Sequence, residues 1–262
     1  MAIVNATPDS FYASSRTQSH KAVAERVEKV LNEGAAIIDI GGYSSRPNAE
    51  DVSVEEEWQR VDMALSAAKE VSGEVAVSID SFRADIVRRA YEKYGEVIVN
   101  DITGGVGDAE MLKTVAELQL PYIAMHMRGT PQTMQQQAQY NDVVAEVVAE
   151  LKERLTAIEN VGIDRKRVAL DPGFGFAKRV EQNYELLAGL HCLKALEQPL
   201  LVGVSRKSMI YKPLGITPDE ALAATQALHW EALRQGATLL RVHDVKEAVQ
   251  TLKLYEEYDK NY

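Results

Sequence analysis

The chain has 262 residues, 46% of them apolar and 26% charged, and 29 Lys+Arg against 39 Asp+Glu give a formal net charge of −10. This is a globular composition with ample material for a core in one large domain or two small ones. The acidic balance argues against a general nucleic-acid binder, which needs a basic face to neutralise phosphates. No apolar run reaches the roughly 18 to 20 residues of a membrane span. The opening Met1-Ala2-Ile3-Val4-Asn5 has neither the basic stretch nor the long apolar stretch of a secretory signal. One cysteine, Cys192, excludes an intrachain disulfide and a multi-thiolate metal site. A cytoplasmic protein fits best.

Along the chain, short β-branched runs alternate with amphipathic helix patterns, and no linker divides them. Candidate strands are Ala2–Val4, Ala36–Ile40, Val75–Ile79, Val97–Val99, Tyr122–Met125, Val168–Leu170, Leu200–Val204 and Thr238–Val242, runs of the kind buried on both faces of a parallel sheet. Between them lie helix starts. Ser53-Val54-Glu55-Glu56 reads as a capping box, Thr217-Pro218-Asp219-Glu220 orders a cap, a first-turn proline and acids, and Asp244-Val245-Lys246-Glu247 opens the last helix. From Asp142 to Ile158, Val144, Val147, Val148, Leu151, Leu155 and Ile158 form one apolar stripe. Strand and helix alternating about eight times predict an α/β fold of one domain over residues 1–262, a (β/α)8 TIM barrel, with a doubly wound sheet as the rival.

Nearly every candidate strand finishes in a polar group: Asn5, Asp39, Asp80, Asn100-Asp101, His126, Asp171, Ser205-Arg206-Lys207, and Arg241 with His243. One such residue is more often a helix cap or turn former. In a parallel barrel, however, all these ends meet at one rim, where such enzymes place their sites. Asp80, Asn100 and Asp171 suit a flat heterocycle with several N–H and carbonyl edges. Arg46, Arg206, Lys207, Arg241 and His243 suit an anionic group such as phosphate. The alternative is that these cations neutralise the strand-end carboxylates, a reading that fits Arg206 better than Arg241 or His243.

Other signals are discounted. Asp171-Pro172-Gly173-Phe174-Gly175-Phe176 lacks the third glycine of a dinucleotide fingerprint, so its glycines read as a tight turn with close ligand approach. His126 has no paired-histidine spacing and reads as a core or supporting histidine rather than a zinc ligand. Lys207 could form a Schiff base, but its neighbours favour hydrogen bonding. Gln132 to Gln139 reads as a solvated loop.

Taken in order, these stretches resemble one family. Asn5-Ala6-Thr7-Pro8-Asp9-Ser10-Phe11, Asp39-Ile40-Gly41-Gly42 running into Ser45-Arg46-Pro47, Asn100-Asp101-Ile102, Met125-His126-Met127, Asp171 to Phe176, Ser205-Arg206-Lys207-Ser208 and Arg241-Val242-His243-Asp244 resemble the signatures of dihydropteroate synthase over essentially the whole chain. The resemblance implies a transferase of folate biosynthesis, usually a cytoplasmic homodimer. It joins 6-hydroxymethyl-7,8-dihydropterin pyrophosphate to p-aminobenzoate, with Mg²⁺ present, giving 7,8-dihydropteroate and pyrophosphate. By resemblance, Asp80, Asn100, Asp171 and Lys207 hold the pterin, and Asp80 and Lys207 are the catalytic groups. Asn5, Arg241 and His243 bind the pyrophosphate, and Asn5 also holds the metal. Phe11, Ser45, Arg46, Pro47, Phe176, Lys207 and Ser208 line the p-aminobenzoate pocket, where sulfonamides are expected to bind as mimics. The partners are small molecules, with no nucleic acid and no membrane. The chemistry implied is a dissociative substitution, with the Asp80 carboxylate stabilising a pterin CH₂ cation.

The chain departs from the family pattern in places. Ala13-Ser14-Ser15 stands where an acid and two glycines are common, and Tyr43 and Ser45 stand where Glu and Thr are common. The chain is truncated before the first strand relative to the family, which is expected to expose the barrel floor and lower stability. The altered first loop keeps a non-catalytic pterin-binding barrel as an alternative. A pterin-dependent methyltransferase is the other, though it needs no pyrophosphate site.

Overall fold

Strand and helix do alternate as the periodicity predicts. The computed structural model describes residues 1–6, 20–44 and 51–260. In order come β1 (Ala2–Asn5), α1 (His20–Asn32), β2 (Ile37–Gly41), α2 (Val54–Val71), β3 (Ala76–Asp80), α3 (Ala84–Tyr94), β4 (Ile98–Asp101), α4 (Met111–Leu118) and β5 (Tyr122–Met125). There follow α5 (Val143–Asn160), β6 (Val168–Asp171), α6 (Val180–Ala188), β7 (Leu201–Val202), α7 (Ser208–Leu214), α8 (Leu222–Gln235), β8 (Leu239–Leu240) and α9 (Val245–Asp259).

Strands β1 to β6 pair in sequence order, all parallel, and β7 pairs with β8. Parallel bridges Leu170↔Leu200 and Ala2↔Val242 join the two sheets at both seams. At the second seam Ile3 N–H donates to the Val242 carbonyl and Val242 N–H to the Met1 carbonyl, each at 2.9 Å. The backbone pairing therefore runs all the way round. A doubly wound sheet would reverse its strand order at a switch point, and no reversal occurs here.

Side-chain alternation sorts the strands into two layers. Val4, Ile38, Ile40, Val77, Ile79 and Val99 belong to the main apolar core with Val23 and Val27 of α1, Val61 and Leu65 of α2, and Ile86 and Val87 of α3. The opposite faces carry the polar residues. Register aligns Asn5, Gly41, Asp80 and Asn100 in one row at the C-terminal ends, with Ile3, Asp39, Ser78 and Ile98 in the row beneath.

Helix starts follow their predicted signals with informative exceptions. Ser53 Oγ accepts from Glu56 N–H at 3.1 Å, while the Glu56 carboxylate turns to Arg60 at 2.5 Å. Asp142 caps α5 through Ala145 N–H at 3.0 Å, and Val147, Leu151, Leu155 and Ile158 are buried as its stripe requires. Val144 and Val148 lie at the edge of that stripe, partly buried. At Thr217 the Glu220 carboxylate reaches back to the Thr217 N–H and hydroxyl, but the turn is a short 3-10 segment and α8 begins only at Leu222. Helix α9 begins at Val245, but Asp244 does not cap it with its side chain, because that carboxylate is held by Arg206. The glutamine-rich stretch is not a plain solvated loop either: Met134–Gln137 forms a 3-10 turn that buries Met134.

Candidate active site

The row Asn5, Gly41, Asp80 and Asn100 sets the first part of the rim. Gly41 contributes no side chain, and a Cβ there would lie 3.5 Å from Asp80 Cβ and 3.6 Å from Asn5 Oδ1. Arg241 crosses from the end of β8 to this row. Its Nε donates to Asp39 Oδ2 and its Nη2 to Asp80 Oδ2, both at 2.6 Å. Asn100 Nδ2 completes the network on the fully buried Asp39 at 3.2 and 3.3 Å. From its residue type and strand-end position, phosphate is the expected partner of Arg241 rather than carboxylates. Here two of its nitrogens meet carboxylates, because buried anions need a cation in contact to offset desolvation. Burial raises the pKa of Asp80, and Arg241 opposes that rise.

The loop after β6 builds the second part. Asp171 Oδ1 accepts from Gly173 N–H at 2.7 Å and so folds the turn. Gly173 has φ +71°, and a Cβ on it would sit 2.0 Å from the His126 carbonyl oxygen, so the backbone passes where no side chain fits. Lys207, which precedes α7, donates from Nζ to the Phe174 carbonyl at 2.5 Å and lies 4.8 Å from the Phe176 ring centre, within cation–π range. Burial lowers the Lys207 pKa to about 8, against the attraction of Asp171. Asp171 is raised by its own burial, against Lys207. Ser208 opens α7 beside Lys207 and is half-buried.

An apolar wall adjoins these groups. Ile102, Met125, Met127, Met134 and Ala177 form a second buried cluster, with Phe82 and Phe176 packed against it. Sequence reasoning identified Phe176 but not the rest of the wall, though the methionines flanking His126 were a signal. Tyr43 meets Phe82 edge to face at 5.1 Å and accepts from Gln132 Nε2 at 2.9 Å. The tyrosine in place of the common glutamate thus ties the β2 loop to the β5 loop.

His126 is a supporting histidine, as its spacing implied. Nε2 meets Glu150 Oε2 at 3.1 Å and Nδ1 meets Lys178 Nζ at 3.0 Å. Burial and the charge of Lys178 lower its pKa to about 4, so it is neutral near pH 7. Lys178 was missed in the sequence, where it follows the recognised loop by two residues.

The cationic end divides in two. Arg206 makes a two-pronged pair with Asp244 at 2.8 and 2.9 Å and donates to the carbonyls of Pro218 and Asp219, so it holds the rim together. His243 Nδ1 stands 3.0 Å from Ser205 Oγ, and its carbonyl accepts from Arg26 Nη2 at 2.7 Å. Burial and the Arg241 charge lower the His243 pKa to about 3. It therefore offers a hydrogen bond at neutral pH rather than the positive charge expected of it. Arg26, on α1, carried no sequence signal because it sits at an ordinary polar helix position.

Phe11, Ala13, Ser45, Arg46 and Pro47 lie outside the described residues. Among the described residues, no group of three or more His, Cys, Asp or Glu forms a metal cage, and no helix is long and apolar enough to cross a membrane.

Comparison with known proteins agrees with this geometry. Residues 1–243 match the model of the pterin binding enzyme family. The dihydropteroate synthase of Escherichia coli K12 is 42% identical over 256 residues, covering 98% of this chain and 90% of that one. The Yersinia pestis dihydropteroate synthase solved with a sulfonamide drug complex superposes with a TM-score of 0.94 at 35% identity, covering 99% and 93% of the two chains. The Xanthomonas albilineans enzyme in complex with 7,8-dihydropteroate gives 0.85 at 37% identity, covering 98% and 92%. The chain belongs to the pterin binding enzymes and, within them, to the dihydropteroate synthases, transferases that join 6-hydroxymethyl-7,8-dihydropterin pyrophosphate to p-aminobenzoate.

Proposed function

We propose that the barrel rim seats the pterin between Asp80, Asn100 and Asp171 on its polar edges and the Met125–Met127–Phe176 wall on its flat side, with Lys207 donating to a ring acceptor. The single observation that carries this reading is the convergence of Asp80, Asn100, Asp171, Lys207 and Arg241, drawn from five strand ends, beside one apolar wall. Carboxylates accept from ring N–H groups, and an amide both donates and accepts. The dihydropteroate held by the Xanthomonas enzyme is a product of the same chemical class.

The arrangement supports a dissociative substitution. The bond from the pterin CH₂ to the pyrophosphate oxygen breaks, and both electrons leave with pyrophosphate. The remaining cation is conjugated with the electron-rich dihydropterin and stabilised by the Asp80 carboxylate, whose pKa burial raises to about 7 against the opposing charge of Arg241. The aniline nitrogen of p-aminobenzoate then attacks the CH₂ carbon and gives up a proton to the released pyrophosphate or to water. No covalent intermediate with the chain forms, and positioning carries much of the catalysis. Arg241 and His243 face the departing pyrophosphate, and exchange of Arg241 from Asp80 toward the phosphates would couple leaving-group departure to the charge on Asp80.

Mg²⁺ fits as an ion held mainly by substrate oxygens, since it keeps waters and phosphates and needs few protein ligands. Asn5 would supply one such ligand, its amide oxygen standing beside Gly41 and Asp80. When bound, the ion neutralises charge developing on the leaving group.

Phe176, Lys207 and Ser208, with Phe11, Ser45, Arg46 and Pro47, are proposed to receive p-aminobenzoate and sulfonamides. We also read the chain as a cytoplasmic homodimer. Leu252, Leu254 and Tyr258 leave apolar surface on α9, which supports pairing through the outer C-terminal helices, and the lone Cys192 suits a reducing compartment.

The test is release of pyrophosphate from the pterin pyrophosphate with Mg²⁺, with and without p-aminobenzoate. Release matched by dihydropteroate formation is expected. Pterin binding without any product would make the chain a binding protein instead.

A further inference from the structure

The loop from Pro172 to Ala177 is held between two lysines. On one side Lys207 Nζ takes the Phe174 carbonyl. On the other, Lys178 Nζ donates to the carbonyls of Gly173 and Phe176, each at 3.1 Å, and reaches His126 Nδ1 at 3.0 Å. An ammonium has three N–H donors, and these acceptors match that number. Lys178 is 3% exposed. An isolated buried ammonium is costly, so this one is retained in a fully hydrogen-bonded setting that also orders the loop.

The chain of contacts continues outward. His126 Nδ1 accepts from Lys178, which leaves Nε2–H to donate to Glu150 Oε2 at 3.1 Å. Arg128 Nε holds the other oxygen of Glu150 at 2.9 Å. Those bonds from His126 and Arg128 keep the Glu150 pKa at about 2, although burial pushes it up. The array thus runs from α5 through the end of β5 to the loop that carries the pterin-side groups.

We propose that Lys178 is a positioning residue for the pterin site, fixing the Gly173 and Phe176 carbonyls from behind and setting a positive charge near Asp171. The inference rests on the proposed pterin site. The charged groups around Lys178 are Asp171 on β6, Lys207 before α7, Glu150 on α5 and Arg128 after β5, with the neutral His126. Those around Asp171 are Lys207, Arg241 and Lys178. Burial lowers the Lys178 pKa to about 7, against the attraction of Asp171. Even with the attraction of Asp171 and Glu150 its charge is lost as pH rises through about 7, and removing either carboxylate should bring that loss to lower pH.

The experiment measures binding of 6-hydroxymethyl-7,8-dihydropterin pyrophosphate to the full chain by calorimetry between pH 5.5 and 8. Wild type, Lys178→Met, Lys178→Arg and Glu150→Gln are compared, each with its unfolding transition recorded. Loss of hydrogen bonds from a charged donor predicts roughly 10- to 100-fold weaker binding by Lys178→Met. Its loss of affinity toward acid should begin at higher pH than in wild type, because Asp171 has lost a neighbouring cation. Lys178→Arg should return that acid limb toward the wild-type position. Binding by a folded Lys178→Met within twofold of wild type, or weakened equally at every pH, overturns the proposal.

If Lys178→Met does not fold, the half-exposed Glu150 decides. Glu150→Gln should weaken binding about threefold or more, with the loss growing from pH 6.5 to 8 as Lys178 deprotonates sooner. A change within twofold at both pH values overturns the proposal. Failure of wild type itself to bind the pterin would instead refute the site reading on which the inference rests.

Discussion

Arg241 Nε and Asp39 Oδ2 stand 2.6 Å apart, joining the last strand of the barrel to the second across its interior. Asp39 is fully buried and shares its oxygens with Asn100, so the pair closes the barrel electrostatically as well as shaping the site. Removing Asp39 leaves Arg241 its second carboxylate, Asp80 at 2.6 Å, so what is lost is a charge-assisted hydrogen bond, worth about 1.5 to 3 kcal/mol. Asp39→Asn should therefore lower the unfolding free energy by that order in a urea titration. A loss below about 1 kcal/mol would show that the Arg241 charge is satisfied without Asp39.

Lys207 has the next clear signature. Its ammonium must be present to donate to the pterin, and burial brings its pKa to about 8. As pH rises through that value the proton is lost, so kcat/KM should fall on the alkaline side of about pH 8. Lys207→Met should lose on the order of 10²-fold in kcat/KM, as for removal of one charged contact to a transition state. Lys207→Arg should retain some activity with its alkaline limb displaced upward. An unchanged limb in that variant would remove Lys207 as its source.

Gly173 tests the loop geometry. A Cβ there meets the His126 carbonyl at 2.0 Å, and φ is +71°. Gly173→Ala should destabilise the fold by more than about 1 kcal/mol, since the conformation is one that alanine resists. It should also weaken pterin binding at least tenfold, by displacing Asp171 and Phe176. Calorimetry with the pterin pyrophosphate gives the answer, and unaltered affinity would show that the loop adapts.

His229 offers a pH test away from the rim. It is fully buried on α8, its Nε2 has no hydrogen-bond partner among the described residues, and burial lowers its pKa to about 4. In the unfolded chain the ring takes a proton near its ordinary pKa of about 6.5, so the unfolded state binds more protons between those values. This contribution to stability is present above about pH 6.5 and is lost as pH falls toward 4. Relative to His229→Gln, wild type should lose about 1.4 kcal/mol between pH 7.5 and 5.5 in denaturant midpoints. A pH-independent difference between the two would mean that burial does not shift His229 and the folded ring titrates near its ordinary value.

Much of the site was legible because the fold places chemistry at a predictable address. Short apolar runs specified parallel strands, and the polar residue at each strand end specified a common rim once the strands were parallel. Asn5, Asp80, Asn100, Asp171, Lys207 and Arg241 were all placed at the strand ends in this way, where the structure has them. Glycines in the loop after β6 were legible as turn formers because only glycine tolerates their backbone and the crowding behind Gly173.

What the sequence by itself determined was the order of elements, their faces and the set of groups at the rim, since periodicity and strand-end position are local properties. Partner choice among those groups was decided only by the tertiary structure. Arg206 selected Asp244 while Arg241 selected Asp39 and Asp80, and Lys178 and Arg26 joined the site from positions with no local signal. Ion pairing and pKa depend on distance and burial, which arise from residues far apart in the chain. The pairing of Arg241 with Asp39 spans 202 positions, and no local pattern encodes it.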